Sequence, residues 1–263
     1  MNVKSSFSDK VVLVTGAAGG LGLAVVDALV AREARVAMTD INGEALARAA
    51  SKYPAERVVA FQCNATKADE VQRSIARTVE QFGRLDMAVN NAGGTKEFVE
   101  VADEPEEAFD YIFDLNVRST FLGMKYQILQ MLAQGGGGAI VNLSSVCSVQ
   151  NFFRGEGLYV GAKHAVSGLT IAAAFEYAER GIRVNAVAPG PCETPNKDGA
   201  SPERTRLLTE VLPMKRLGQS TEIANAICWL LGDESSFVTG HVLRVDGGYL
   251  ARGATNNWVP RLA

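Results

Sequence analysis

Histidine is nearly missing from this sequence: only His164 and His241 occur, far apart. A zinc site needs several ligands gathered at short spacings, so no metal-ligating set is expected. Cysteine is sparse too. Cys63, Cys147, Cys192 and Cys228 are scattered with no C-x-x-C pair, which argues against a disulfide scaffold and leaves small buried thiols as the plain reading. No block of basic residues stands against the net charge of −3, so neither nucleic acid nor a membrane surface is expected as a partner. No run approaches about 18 uninterrupted apolar residues, and the opening MNVKSSFSDK lacks the apolar stretch of a secretion signal. The expectation is a cytoplasmic protein. No linker rich in Pro, Gly or Ser divides the chain and no solenoid-length repeat occurs, so residues 1–263 read as one domain with a tail at 249–263.

What the sequence does have is alternation. Continuous apolar runs at 11–15, 35–39, 58–61, 85–89, 139–143, 182–187 and 242–245 read as strands. Apolar on both faces, they suit a parallel sheet covered by helices on each side. Between them lie segments of helical period. In 69–82, Val71, Ile75, Val79 and Phe82 fall on one stripe, with Thr66 as the expected cap. The four glycines at 135–138 read as a turn between a helix and a strand. Strand, helix, strand at this regularity predicts an α/β fold, a doubly wound sheet in a single domain.

Three motifs carry chemistry. Thr15-Gly16-Ala17-Ala18-Gly19-Gly20-Leu21-Gly22 follows the first strand and opens a helix. Gly16 permits the tight turn, Gly20 admits a pyrophosphate close to the backbone, and Gly22 lets helix and strand approach. Asp40 ends the second strand, 18 residues after Gly22. A carboxylate there can accept the adenosine ribose hydroxyls and repels a 2′-phosphate. No Arg or Lys stands at Ala17, Ala18 or Gly19 to offset that repulsion, so the expected cofactor is NAD. Tyr159 and Lys163, four residues apart, share one helix face. An ammonium nearby is expected to lower the phenol's titration point and so make Tyr159 a useful acid/base.

With these motifs in order, the chain resembles the short-chain dehydrogenase/reductase family from Lys10 to Gly248. Asn90-Asn91-Ala92-Gly93 ends the fourth strand, and Asn116 lies in a long helix. Ser144-Ser145 follows the fifth strand, Pro189 to Thr194 ends the sixth, and Val245-Asp246-Gly247-Gly248 closes the last. The resemblance implies a Rossmann-type seven-stranded parallel sheet and an NAD-dependent oxidoreductase. It implies Tyr159 as general acid/base and Ser145 on the substrate oxygen. Lys163 would hold the nicotinamide ribose, and Asn116 would kink its helix and seat a relay water. Leu21, Ile41, Asn64, Ala65, Asn91, Ala92, Gly93, Pro189, Gly190, Cys192 and Thr194 would join the glycines and Asp40 in lining the cofactor.

Two departures stand out. Asn64-Ala65 replaces the family's Asp-Val, so that contact becomes neutral. The loop from Ser145 to Tyr159 is one residue longer than the family pattern, at the border of the substrate.

Loops after Gly93, Ser145 and Gly190 would supply a mainly apolar substrate wall, including Phe98, Val149, Phe152 and Phe153, with Arg154 as a candidate carboxylate binder. The implied substrate is a hydrophobic or cyclic secondary alcohol or its ketone. A 3-oxoacyl thioester reductase, a ring cis-diol dehydrogenase and a cofactor-sensing regulator stay open as alternatives. The family plan also implies a homotetramer. Phe109, Phe113, Val117, Phe121, Ala172–Ala174 and Phe175 would offer its faces, and a tail with Tyr249, Leu250 and Trp258 would pack on a neighbouring subunit.

Overall fold

The computed structural model describes residues 7–95, 98–150, 154–193 and 202–252. Its first half runs β1 (Val11–Thr15), α1 (Gly20–Val30), β2 (Arg35–Asp40), α2 (Gly43–Ala50), β3 (Val58–Gln62), α3 (Ala68–Phe82) and β4 (Met87–Asn90). Then come α4 (Glu106–Phe113), a π-helical turn (Asp114–Arg118), α5 (Ser119–Gln134), β5 (Gly138–Leu143), α6 (Gly157–Tyr177) and β6 (Ile182–Pro189). Two short strands, β7 (Cys192–Glu193) and β8 (Gly218–Gln219), flank α7 (Pro202–Val211). Helix α8 (Ser220–Leu231) and β9 (Val242–Val245) follow.

All seven expected strands form one sheet in the order β3-β2-β1-β4-β5-β6-β9. Every neighbouring pair is parallel. The strand alternation explains the two-sided core. Val12, Val14, Val36, Met38, Met87 and Val89 point to one layer with α1 and α8, while Leu13, Ala37 and Ala88 point to the other with α3 and α5. Residues buried on both faces have no solvated side, hence the unbroken apolar runs. The topology also places the site. After β3 the chain returns to pair β4 with β1, so winding direction reverses between these two strands and leaves a crevice beyond their carboxyl ends.

Two local expectations need correction. Thr66 does not cap α3: its amide and hydroxyl both donate to Asn64 Oδ1, at 3.0 and 2.9 Å, and Lys67 occupies the cap. The fourth strand starts at Met87, because the Gln134 side chain takes up both Leu85 backbone groups, at 3.0 and 2.7 Å. By length and composition α6 with its final turn is long and apolar enough to cross a membrane. Here it packs on β5 and β6 and carries Lys163 in its buried face.

Of the tail, residues 249–252 are described. Tyr249 is buried in its own chain against Val146, Cys147 and Leu212, with Leu250 packed alongside. The turn is fixed by Asp246, whose carboxylate accepts the Gly248 and Leu250 amides at 2.9 Å each. Trp258 lies outside the described residues. Of the expected assembly faces, Phe109, Phe121 and Phe175 are exposed, whereas Phe113 and Val117 are half-buried and Ala173 and Ala174 are buried.

Candidate active site

The glycine loop and the loop after β4 meet at the crevice because Thr15 and Asn91 bind them together. Thr15 Oγ1 accepts the Asn91 and Ala92 amides at 3.0 Å each, and Asn91 Nδ2 donates to the Thr15 and Gly16 carbonyls at 3.0 and 2.9 Å. Gly16 has φ +63°, and a side chain at Gly22 would run into the Gly16 carbonyl. The strand–turn–helix passage therefore tolerates no Cβ at either point. Helix α1 starts with no side-chain cap and no acid in its first turn, so its amide end can receive an anion. Leu21 packs on the core and Gly20 lies half-buried at the helix start.

Asp40 closes the far side of this loop. Its Oδ2 accepts the Ala18 amide at 3.0 Å and its Oδ1 the Asn42 amide at 2.9 Å. Each carboxylate oxygen can accept more than one hydrogen bond, so this anchoring is compatible with ribose hydroxyls. Ile41 beside it is exposed. Asn64 is half-buried like Ala65, and its Oδ1 is engaged by Thr66. The donor set and loop shape fit a dinucleotide: a free helix N-terminus for the pyrophosphate and a carboxylate for the ribose.

Four side chains expected to act together do converge. Asn116 is buried in the π-helical turn. Its Oδ1 accepts the Gly94 amide at 3.0 Å, and its Nδ2 donates to the Gly94 and Ile112 carbonyls at 2.8 and 2.9 Å. Lys163 is buried, and its Nζ donates to the Leu143 carbonyl at 2.8 Å. Gly93 lies between them: a Cβ there would sit 2.8 Å from Asn116 Oδ1 and 3.2 Å from Lys163 Nζ. Ser145 lies near enough to Tyr159 to favour its phenolate. Ser145 Oγ also accepts the Cys147 amide at 3.2 Å, which makes it the cap of a short turn over 146–148.

The electrostatics depart from expectation. Tyr159 titrates above its ordinary value, first because burial disfavours phenolate, while Ser145 works the other way. Lys163 does not lower it. The ammonium lies 5.5 Å from the centre of the Tyr159 ring and is spent on a carbonyl. Burial lowers Lys163 itself to about 8. The buried Cys147 thiol is pushed up to about 11, again chiefly by burial.

Pro189, Gly190 and Cys192 lie half-buried along the end of β6 and the start of β7, with Cys192 opposite Gly218. Thr194, Phe152 and Phe153 lie outside the described residues. Arg154 is exposed and pairs with Glu100 at 3.6 Å rather than turning into the site. A cleft of about 550 Å³ opens beside Tyr159, between α4 and the start of α6. It is less apolar than the sequence suggested. Thr95, Val99, Tyr111 and Leu158 share its wall with Asp103, Glu104, Glu107 and Glu156, and no basic side chain among the described residues lines it. Glu156 escaped sequence reasoning because it sits in no motif, and Tyr249 was expected on a neighbouring subunit rather than beside Cys147 of its own chain. Thr15 was inside one, but its tie to Asn91 depends on β1 lying beside β4.

Known proteins place this geometry in context. A family model described as enoyl-(acyl carrier protein) reductase matches residues 16–250. A 2,5-dichloro-2,5-cyclohexadiene-1,4-diol dehydrogenase of Sphingobium indicum is 43% identical over 251 residues, covering 94% of this chain and 99% of that protein. A cyclohexanol dehydrogenase of an Acinetobacter species is 36% identical over 252 residues, covering 95% and 98%. Among solved structures, ElxO with NADP bound superposes with a TM-score of 0.86 at 35% identity, covering 92% of this chain and 99% of that one.

Proposed function

The chain belongs to the short-chain dehydrogenase/reductase family of nicotinamide-dependent oxidoreductases, and from that premise we propose that it interconverts a cyclic or hydrophobic secondary alcohol and its ketone with NAD. The observation that carries this reading is the meeting of Asn116 and Lys163 at Gly93, with Tyr159 beside Lys163 and lining the cleft. Bound at the crevice, the nicotinamide supplies the two-electron exchange. The chain's own groups do the rest. Ser145 positions the substrate oxygen, Tyr159 exchanges its proton with that oxygen, and Lys163 and Asn116 shape the pocket behind them. Gly16, Gly20, Gly22, Asn91, Ala92, Gly93, Pro189, Gly190 and Cys192 line the cofactor in this proposal, with Asp40 on the ribose.

NAD is preferred over NADP because Asp40 is held against the Ala18 amide, and a 2′-phosphate would meet its carboxylate with no cation in the loop. The likeness to an NADP-bound structure makes this choice worth a direct test. A thioester on coenzyme A or an acidic carrier fits less well, since the cleft wall bears carboxylates. The relatives acting on a cyclohexadiene diol and on cyclohexanol support a ring alcohol. Following NADH absorbance with a panel of ring alcohols and ketones tests the reading. Activity confined to acyl thioesters, or higher with NADP than NAD at equal concentration, overturns it.

We also propose a cytoplasmic homotetramer. Phe121, Ile171 and Phe175 are exposed on α5 and α6, and Trp229 and Phe237 are exposed on and after α8, giving two separate apolar surfaces.

A further inference from the structure

We infer that Ser167 and Thr170 are positioning residues for the reaction: their hydroxyls lock α6 onto the end of β5 at one register, and that register sets Tyr159 against Ser145 and the reacting oxygen. This rests on the reading of Tyr159 as the group that exchanges a proton with the substrate.

Helix α6 has little apolar relief on its buried side. Val166 is the one larger aliphatic residue there; the others are Lys163, Ser167, Thr170 and three alanines. Apolar burial is non-directional, so such a face holds the helix on the sheet without fixing how far along a strand it lies. Direction comes from polar rungs. Asn142 Nδ2 donates to Thr170 Oγ1 at 2.9 Å, Lys163 Nζ donates to the Leu143 carbonyl at 2.8 Å, and the Ser144 and Ser167 hydroxyls share a hydrogen bond of 2.8 Å. Ser144 Oγ also donates to the Lys163 carbonyl at 3.3 Å. Residues 142, 143 and 144, at and just after the end of β5, thus engage α6 over about two turns. The side chains of Asn142, Ser144, Lys163, Ser167 and Thr170 are all buried, so a broken rung leaves groups that water does not readily satisfy.

Both sides of the ladder are braced. Thr170 Oγ1 donates its proton to the Val166 carbonyl at 2.8 Å, which turns the oxygen to accept from Asn142. Asn142 Oδ1 accepts from Asn90 Nδ2 at 2.9 Å, and Asn90 exchanges two hydrogen bonds with Gln127 of α5, at 3.0 and 2.8 Å. The strand side therefore cannot follow a moving helix. Hydrogen bonds of this kind hold over only about 2.7–3.2 Å, so a slide of α6 by about 1 Å breaks the rungs. The ladder leads directly to the reacting groups: Ser145 is the residue after Ser144, and Tyr159 stands one helical turn before Lys163. Sliding α6 along β5 moves Tyr159 relative to Ser145, and a misplacement of about 1 Å can cost about 100-fold in rate.

The test uses the full chain with NAD and the ring alcohol it turns over fastest, and compares wild type with T170V, S167A, T170S and I182V. T170V keeps the side-chain shape and removes the oxygen, whereas T170S keeps the oxygen. I182V trims an apolar side chain in the same core layer and leaves every rung in place. Steady-state kinetics in ordinary and heavy water, NAD titration and melting temperature are measured for each. T170V and S167A are expected to lower kcat by about 10- to 100-fold, with the dissociation constant for NAD near the wild-type value. Their solvent isotope effect on kcat is expected to rise, because a misplaced phenol slows proton exchange. T170S is expected to recover most of the rate, and I182V to melt earlier while keeping the wild-type kcat and isotope effect. A kcat that stays at the wild-type value in T170V and S167A overturns this inference alone. So does a rate that follows melting temperature through all variants, I182V included, with no rise in the isotope effect, which marks the rungs as fold stability only. If T170V does not fold, S167A is judged by the same two readouts. A wild type inert on every alcohol and ketone with NAD and NADP overturns the proposed function and this inference with it.

Discussion

Around Tyr159 a single helix turn and the depth of the pocket pull in opposite directions. Lys163 stands four residues on, where local spacing favours phenolate, but its Nζ is bonded to the Leu143 carbonyl and burial sets the balance. Burial therefore favours the neutral phenol at Tyr159 over the phenolate. Tyr159→Phe is expected to lower kcat by about 10²- to 10⁴-fold while the dissociation constant for NAD changes little; fluorescence titration and steady-state kinetics separate the two. Lys163 yields a pH prediction. Burial lowers it to about 8, so its ammonium is present below that pH and lost above it. If the ammonium donates to the cofactor ribose, NAD affinity declines as pH rises through about 8. The Lys163→Met variant binds more weakly throughout and shows no such decline. A titration series from pH 6.5 to 9.5, on the order of ±1.5 units around that value, decides it. An equally steep decline in the methionine variant would assign the titration elsewhere.

Among the elements, the π-helical turn between α4 and α5 is the piece that joins fold to site. Asn116 bonds across to Gly94, so the widened turn fixes the loop after β4 against the helix that follows. Asn116→Ala leaves both Gly94 backbone groups and the Ile112 carbonyl short of a partner. Loss of about 2–3 kcal/mol is expected, because each buried orphan costs about 1–3 kcal/mol and some recover water. Thermal melting should show a drop of roughly 5–10 °C for a chain of this size, and an unchanged melting point would mean the loop is held by other contacts. The elements themselves were well marked in the sequence. The seven apolar runs became the seven strands, with no end moved by more than two residues. Thr66 went astray because Asn64, two residues earlier, offered its hydroxyl and amide a nearer acceptor than the helix did.

For the whole molecule, what remains outside is more informative than the core. Phe175 on α6 is 88% exposed and Phe237 is fully exposed. Large aromatic side chains gain by burial, and an apolar surface of this kind is a poor end state for a monomer. Phe175→Glu is expected to yield a smaller species in light scattering, with far-UV circular dichroism unchanged. A wild type that is already monomeric removes the assembly proposal. The described residues after Gly248 pack on their own chain. Tyr249 and Leu250 fold back on Val146, Cys147 and Leu212, so the segment after β9 supports the serine-bearing turn of its own subunit.

The residues alone determined the sheet, the glycine turn, the Asp40 position and the Tyr159–Lys163 pair. Each depends on short-range rules: which side chains alternate, which turn admits a Cβ, and which positions lie one helical turn apart. Tertiary structure decided the rest. Only the pairing of β1 with β4 brings Thr15 to Asn91, and only the fold-back after β9 sets Tyr249 behind Cys147. The carboxylate of Glu156 belongs to the cleft for the same reason: its thiol partner is nine residues away along a loop. The Tyr159 titration shift is the clearest case. Spacing specifies which charges are near, but desolvation depends on everything packed around the group, and no local pattern encodes that.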